Sequence, residues 1–339
     1  MMNILSGNKR FRNISILLTA LIVISFIVSL NMGSLSIKPI DVLKTLIGKG
    51  TRKDELVLFT LRLPRIIIAV LVAIGLSTSG TILQGITKND LADPGILGIG
   101  SGASLAVVVY IYFTSGNTYA VISDITIYTM PILALTGAFI AAALIYSLAW
   151  KKGINPSRLI LVGIGINSAF TAMLIIFQLK FTTQEFNRVM VWISGSIWGA
   201  NWKYVIATLP WIVIFLVLTL YKARYLDVLN LGDELSTGLG VKVEKERRKL
   251  LFFAVALAGA ATAVSGTISF LGLVAPHIGR RLVGPKHKVL IPTSALISIF
   301  LFLVSDIIAK NLLAPAEIPV GIVLSIIGVP YFVYLMLKQ

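Results

Sequence analysis

Long apolar stretches, separated by short polar breaks, run through the whole 339-residue chain. Most are long enough to cross a bilayer, whose hydrocarbon core of about 30 Å needs about 20 helical residues. Within lipid every backbone N–H and C=O must be bonded inside the chain, so a spanning stretch is a helix or belongs to a closed barrel. These stretches do not alternate apolar with polar residues as barrel strands do. The pattern therefore predicts an all-α, polytopic membrane protein.

The pattern predicts about ten transmembrane helices, one of them only half-length. The stretch 271–283 is too short for a full crossing, yet the charges on either side require the chain to return. We predict a short helix buried among others, because irregular backbone at membrane depth is tolerated where protein shields it. The candidate spans are 14–32, 65–84, 95–113, 128–149, 158–178, 203–221, 250–269, 271–283, 289–310 and 319–337.

Basic residues predict the orientation, because Lys and Arg collect in cytoplasmic loops. If the N-terminus is cytoplasmic, most of the basic residues fall on the inner side, so we predict that both termini are cytoplasmic. The predicted inside segments are 85–94, 150–157, 222–249, 284–288 and the C-terminal tail.

The first outside loop, residues 33–64, departs from this trend because it is strongly basic. An acidic partner on the outer face would explain the charge, and so would a single loop that departs from the trend without a function. Its basic residues are Lys38, Lys44, Lys49, Arg52, Lys53 and Arg62, with Arg65 just beyond.

Composition fits one membrane unit. Charged residues make up 13% of the chain and the mean hydropathy is +0.92, whereas a soluble domain carries about 25% charged residues. We predict a single transmembrane domain over residues 1–339, with 222–249 as its longest cytoplasmic loop. The net charge of +16 fits cytoplasmic loops beside anionic membrane lipid. It does not indicate nucleic acid, because no basic stripe with interleaved aromatic residues lies outside the membrane.

The sequence predicts no enzymatic centre and no cofactor bound by this chain. It has no cysteine and only two histidines, which argues against a metal site. Gly48 and Lys49 are followed by Gly50 rather than by Ser or Thr, so there is no P-loop. ATP and Mg²⁺ would then bind a separate subunit. An intramembrane hydrolase using Ser265 and His277 is a weaker alternative, because the flanking motif is wrong.

Asp306 is the clearest acidic residue inside a candidate span. A carboxylate at this depth costs about 2.5–3.5 kcal/mol on insertion scales, so such residues face a cavity or a partner. It could relay protons in a secondary transporter. Alternatively, it could pair with Lys310, which follows at i+4 in the favourable order of sign. We favour the ion pair.

The predicted cytoplasmic loop contains a short amphipathic segment, residues 229–241. Leu231, Leu235 and Leu239 recur at i, i+4 and i+8, which places them in one apolar stripe on a helix, with acids on another face. A stripe outside the membrane needs a cover. A groove on another protein could provide it, or the stripe could fold back onto the bundle.

Five motifs in order resemble a known family. With them the chain resembles the permease subunit of the iron-siderophore, vitamin B12 and haem (FecCD-type) ABC importers, which have the type II importer fold. The resemblance covers nearly the full length. One departure is Asp90, where the family usually has proline, which leaves the shape of that loop open. The motifs are Arg62-Leu63-Pro64-Arg65, residues 89–98, 229–241 and 272–281, and Glu317-Ile318-Pro319-Val320-Gly321.

The resemblance implies partners and site residues. A second permease, identical or related, would complete the bundle, two cytoplasmic ATPase subunits would drive it, and an extracellular binding protein would deliver the cargo. Arg62, Arg65 and Lys310 match basic positions that grip acidic residues of the binding protein. The coupling segment that would dock on the ATPase comprises Leu231, Gly232, Asp233, Glu234, Leu235, Gly238, Leu239 and Gly240.

Together these inferences predict a multi-pass permease in the cell membrane, part of an ATP-driven importer of a ferric siderophore. The permease itself would not be an enzyme. Haem and cobalamin are alternative cargoes. A proton-coupled secondary transporter that uses Asp306 is the alternative from another class.

Overall fold

The computed structural model describes residues 2–33, 39–95, 97–114, 124–151 and 156–337. All regular elements of this part are helical, which confirms the predicted all-α class. Lys38 of the basic loop and Ile96 of the second motif lie outside the described residues, as do the last two residues of the chain.

Each of the ten predicted stretches coincides with a helix. Seven helices of the described part are long and apolar enough to cross a membrane, and α5, α12 and α14 are shorter. The helices are α1 (Met2–Asn31), α2 (Pro39–Leu46), α3 (Arg52–Glu55), α4 (Leu63–Thr87), α5 (Ile99–Thr114), α6 (Asp124–Ala149), α7 (Pro156–Gln178), α8 (Thr183–Ile193), α9 (Trp202–Leu229), α10 (Asp233–Gly238), α11 (Val243–Ser265), α12 (Leu271–Val283), α13 (His287–Asn311) and α14 (Val320–Leu337).

Two predicted loops are largely helical. Residues 33–64 contain α2, α3 and a π-helical segment, Leu56–Arg62, that leads directly into α4. The predicted loop 222–249 is mostly the end of α9 and the start of α11, so the true connection is short. The predicted boundaries were wrong because charged residues were assigned to loops, whereas the helices continue beyond their apolar parts. Lys222 and Glu246 form a 2.8 Å ion pair between the two extensions.

The α8 helix lies outside the predicted spans. It begins with a capping box, in which the Thr182 side chain accepts the Glu185 backbone N–H and the Glu185 carboxylate accepts the Thr182 N–H at 2.9 Å. The Thr-x-x-Glu spacing was present in the sequence. The helix was missed because it is too short and too polar to be a membrane span.

The central helix is α4, which is buried along most of its length and packs on α9, α11, α12 and α13. At Gly80 it lies very close to α12. A Cβ atom at Gly80 would overlap the carbonyl oxygen of Gly272. The Gln84 amide also donates to the Gly272 and Leu273 carbonyls at 3.4 Å each. As predicted, α12 is a short helix buried among others.

Gly80→Ala is expected to lower the free energy of unfolding by about 1–3 kcal/mol, because the added methyl must push two backbones apart. Thermal unfolding of the chain purified in detergent measures the effect. Gly165→Ala in α7 is the matched control, since a Cβ there meets nothing within 4 Å. Equal unfolding midpoints for the two variants would contradict the close contact of α4 and α12.

The bundle has two chemically different ends. At one, which we call the α10 end, α10 lies near the end of α4, and the Arg10 guanidinium donates to the Arg281 carbonyl at 3.4 Å. At the other, the Arg65 end, the last turn of α1 meets the end of the π-helical segment and the last turn of α13. Each end holds one of the two site clusters predicted from sequence.

Candidate functional site

The Arg65 end gathers the three predicted docking residues around one small cavity. Arg62, Arg65 and Lys310 come from the end of the π-helical segment, the start of α4 and the end of α13. The cavity measures about 280 Å³. Its lining includes Met32, Gly33, Arg62, Arg65, Trp198, Lys310 and Glu317.

Two cations and two carboxylates join in a network at this cavity. Arg65 donates through Nε and Nη2 to Asp306 Oδ1 at 3.0 and 2.8 Å, and through Nη1 to Glu317 Oε2 at 2.7 Å. Lys310 Nζ lies 2.8 Å from Asp306 Oδ2 and donates to the Ser29 hydroxyl at 3.0 Å. We call Arg65, Asp306, Lys310 and Glu317 the charge network. Its charges balance.

The network confirms the predicted pair of Asp306 and Lys310. Asp306 is fully buried, and each of its oxygens faces a cation. That arrangement removes the need for a proton relay to explain a carboxylate inside a span. The contribution of Arg65 could not be predicted from spacing, because it lies 241 residues from Asp306 in the chain.

Arg62 is buried within the helix bundle rather than exposed on an outer loop. Only 8% of the residue is exposed, and its Nη1 donates to the Leu30 carbonyl at the end of α1. The three predicted docking residues are thus largely buried at the bottom of the cavity at this end. The exposed basic residues around it are Lys44, Lys49, Arg52 and Lys53.

At the α10 end the leucine stripe is open. Leu231, Leu235 and Leu239 are 56%, 62% and 64% exposed. The alternative in which the stripe folds back onto the bundle is therefore wrong for this structure. Glu234, Gly238 and Gly240 of the predicted coupling set are exposed as well.

Glycines allow the chain to present this short helix. Gly232 has a φ of +114° and Gly240 a φ of +80°. L side chains rarely adopt this region, whereas glycine enters it without a steric penalty. The two residues bracket α10 and let the chain turn sharply out of α9 and back toward α11.

Asp233 fixes α10 to the bundle. Both of its carboxylate oxygens accept Arg247 Nη2, at 2.8 and 3.0 Å, and Lys88 lies 3.7 Å away. Arg247 is only 1% exposed and also pairs with Glu244 at 2.8 Å. Since Arg247 belongs to α11 and Lys88 follows α4, Asp233 joins α10 to both of these helices.

The loop after α4 is shaped by the unusual aspartate. Asp90 pairs with Arg280, whose Nη2 also donates to the Gln84 side chain at 3.1 Å. Asn89 Oδ1 accepts the Leu91 N–H at 2.9 Å, which closes a tight turn. The loop is thereby tied to the end of α12.

The hydrolase alternative finds no support in the geometry. The Ser265 hydroxyl bonds to the carbonyls of Ala261 and Gly266, at 2.9 and 3.1 Å. The His277 ring instead meets the Tyr331 ring edge to face, with centroids 6.0 Å apart. Among the described residues, no group of three or more His, Asp or Glu side chains could hold a metal ion.

Comparison with known proteins decides the family. The model of the FecCD transport family matches residues 21–338. This chain belongs to the FecCD transport family. With its long apolar helices it is therefore a multi-pass membrane protein, and the predicted FecCD-type permease fold is confirmed.

Several FecCD relatives match over nearly their full length. The iron(3+)-hydroxamate import system permease protein FhuG of Bacillus subtilis is 58% identical over 94% of each chain. The hemin transport system permease protein HmuU of Yersinia pestis is 38% identical, covering 95% of this chain and 94% of its own. A solved structure described as an inward-facing metal-chelate type ABC transporter has a TM-score of 0.82 at 30% identity, covering 95% of this chain and 98% of that chain.

Proposed function

We propose that this chain is the permease subunit of an ATP-driven importer that carries a ferric siderophore of the hydroxamate class across the cell membrane. The 58% identity to the iron(3+)-hydroxamate import permease supports this cargo above haem, whose relative is 38% identical. Cobalamin is the further alternative. The chain makes no covalent change to the cargo.

The α10 end is the cytoplasmic face in this proposal, and both termini lie on that side. The exposed leucine stripe fits a groove on an ATPase subunit, in the helix-in-groove mode. The ATPase binds ATP and Mg²⁺, because the permease has no P-loop. The coupling residues are Leu231, Gly232, Asp233, Glu234, Leu235, Gly238, Leu239 and Gly240, with Asp233 transmitting movement to α11 through Arg247.

The Arg65 end is the outer face and receives an extracellular binding protein. The exposed lysines and arginines around it attract an acidic surface, and such charges mainly set the rate of encounter and the register. Arg62, Arg65 and Lys310 at the base of the cavity then contact acidic residues of the docked protein.

Transport follows from a change between two conformations of the bundle. A ligand shifts such an equilibrium only by its difference in affinity for the two states. The docked binding protein acts at one end and the nucleotide, through the ATPases, at the other. A second permease, identical or related, and membrane lipid cover the apolar faces that α7 and α9 leave exposed.

Deleting the gene for this chain is expected to abolish uptake of a radiolabelled ferric trihydroxamate chelate, and a plasmid copy should restore it. Uptake of haem and cobalamin by the same strain should be unchanged. Loss of haem or cobalamin uptake with normal uptake of the ferric chelate would overturn the proposed cargo but leave the permease assignment in place.

A further inference from the structure

The charge network leaves no net cation for a partner. Arg65 and Lys310 supply two positive charges, and Asp306 and Glu317 supply two negative charges within 2.8 Å of them. A carboxylate that approached from outside would meet a neutral set. It could pair strongly with Arg65 or Lys310 only if one of the internal carboxylates gave up its place.

The two internal carboxylates differ in how firmly they are held. Asp306 is fully buried in α13 and contacts both cations. The Glu317 side chain is 25% exposed, and its one ion pair within the described part of the chain is with Arg65 Nη1 at 2.7 Å. Glu317 lies in the connection from α13 to α14 and lines a second, open cavity of about 640 Å³ beside Trp198 and Pro319. Its carboxylate can turn toward solvent while Arg65 keeps both of its bonds to Asp306.

We propose that Glu317 occupies the docking site of Arg65 while no partner is bound, and that a carboxylate of the binding protein displaces it. This inference rests on the docking role proposed above. Because Arg65 Nε and Nη2 remain bonded to Asp306, the incoming carboxylate takes over the Nη1 position that Glu317 leaves, in a charge-assisted hydrogen bond. Glu317 therefore weakens docking and raises its specificity, since only a well-placed carboxylate completes the exchange.

The exchange also changes how the connection from α13 to α14 is held. Immediately after Glu317, Ile318 N–H donates to the Ala309 carbonyl at 3.1 Å, and Gly321 N–H donates to the Gly195 carbonyl at 2.9 Å. Release of Glu317 breaks the ion pair that joins this connection to Arg65 at the start of α4. The first turn of α14 is then held by fewer contacts when a partner is docked than when it is not.

The test measures the affinity of the soluble form of the importer's own binding protein, loaded with a ferric trihydroxamate chelate, for the full complex in nanodiscs at low salt. Glu317→Gln is expected to tighten binding roughly fivefold. Glu55→Gln is the matched control, because Glu55 is an exposed carboxylate at the same end of the bundle. It should change affinity by much less. In an Arg65→Gln background, Glu317→Gln should have no further effect.

The outcomes separate the inference from the docking role on which it rests. If Arg65→Gln weakens binding while Glu317→Gln leaves it unchanged or weakens it, the exchange is wrong and the docking role stands. If Arg65→Gln has no effect, the docking role itself fails. Should Glu317→Gln not assemble, Glu317→Asp keeps the charge but shortens the side chain, and it must also tighten binding.

Discussion

Replacing Leu235 with glutamate is expected to stop transport while leaving the permease folded. Leu235 is 62% exposed at the centre of the leucine stripe, so the new charge meets only water in the isolated chain. In the assembled importer the same charge would be buried without a partner in the ATPase groove. A buried, unpaired charge costs about 3–5 kcal/mol, which corresponds to more than a hundredfold in affinity. Uptake and cargo-stimulated ATP hydrolysis in reconstituted complexes measure the effect.

Thr237→Glu is the matched control for this substitution. Thr237 is exposed on the same short helix but lies off the leucine stripe. The Thr237→Glu substitution therefore adds the same charge at the same end of the bundle. It should leave stimulated hydrolysis nearly intact. If the two variants were equally inactive, net charge rather than the stripe would be the cause. Normal stimulation in Leu235→Glu would rule out α10 as the contact with the ATPase.

Asp306→Asn is expected to have the largest effect on stability. It leaves Arg65 and Lys310 close together with only Glu317 to balance them, and Lys310 is 8% exposed. Removing one partner of a buried ion pair costs about 3–5 kcal/mol, because a charge remains uncompensated. The midpoint of thermal unfolding in detergent, and the yield of monodisperse protein, should both fall.

A double variant tests whether charge imbalance causes this loss of stability. Asp306→Asn combined with Lys310→Met removes one charge of each sign and leaves Arg65 with Glu317, so it should recover much of the lost stability. A double variant no more stable than the single one would contradict the account of charge balance. If Asp306→Asn instead folded with normal stability and lost only proton-dependent uptake, the proton-relay interpretation would return.

At the α10 end, the local sequence pattern predicted part of the structure. The i, i+4, i+8 spacing of the leucines predicts one stripe on a helix, because side chains at this spacing share one face. In the structure only Leu235 lies within α10, and Leu231 and Leu239 flank it as exposed residues. The sequence could not show whether that face is covered, since the answer depends on where α9 and α11 place it. Asp233 was predicted as a coupling residue, but its pairing with Arg247 became visible only in the folded chain.

At the Arg65 end, prediction from local spacing was correct for one ion pair but not for the others. The pair of Asp306 and Lys310 is local to one helix turn and was predicted correctly. The burial of Arg62 was not predicted, because its basic surroundings indicated a loop while its backbone continues into α4. The role of Glu317 as the second acid beside Arg65 is likewise a result of packing between distant segments.

The sequence by itself determined the class of protein, the position of every long helix, the short buried helix α12 and the two ends where chemistry could reside. These follow from hydropathy and spacing along one dimension. Only the tertiary structure decided which charges meet, which cations are neutralised and which leucines stay in contact with water. The physical reason is that ion pairing and burial depend on the separation of atoms in space, and α4, α13 and the start of α14 come together through helix packing that no single segment encodes.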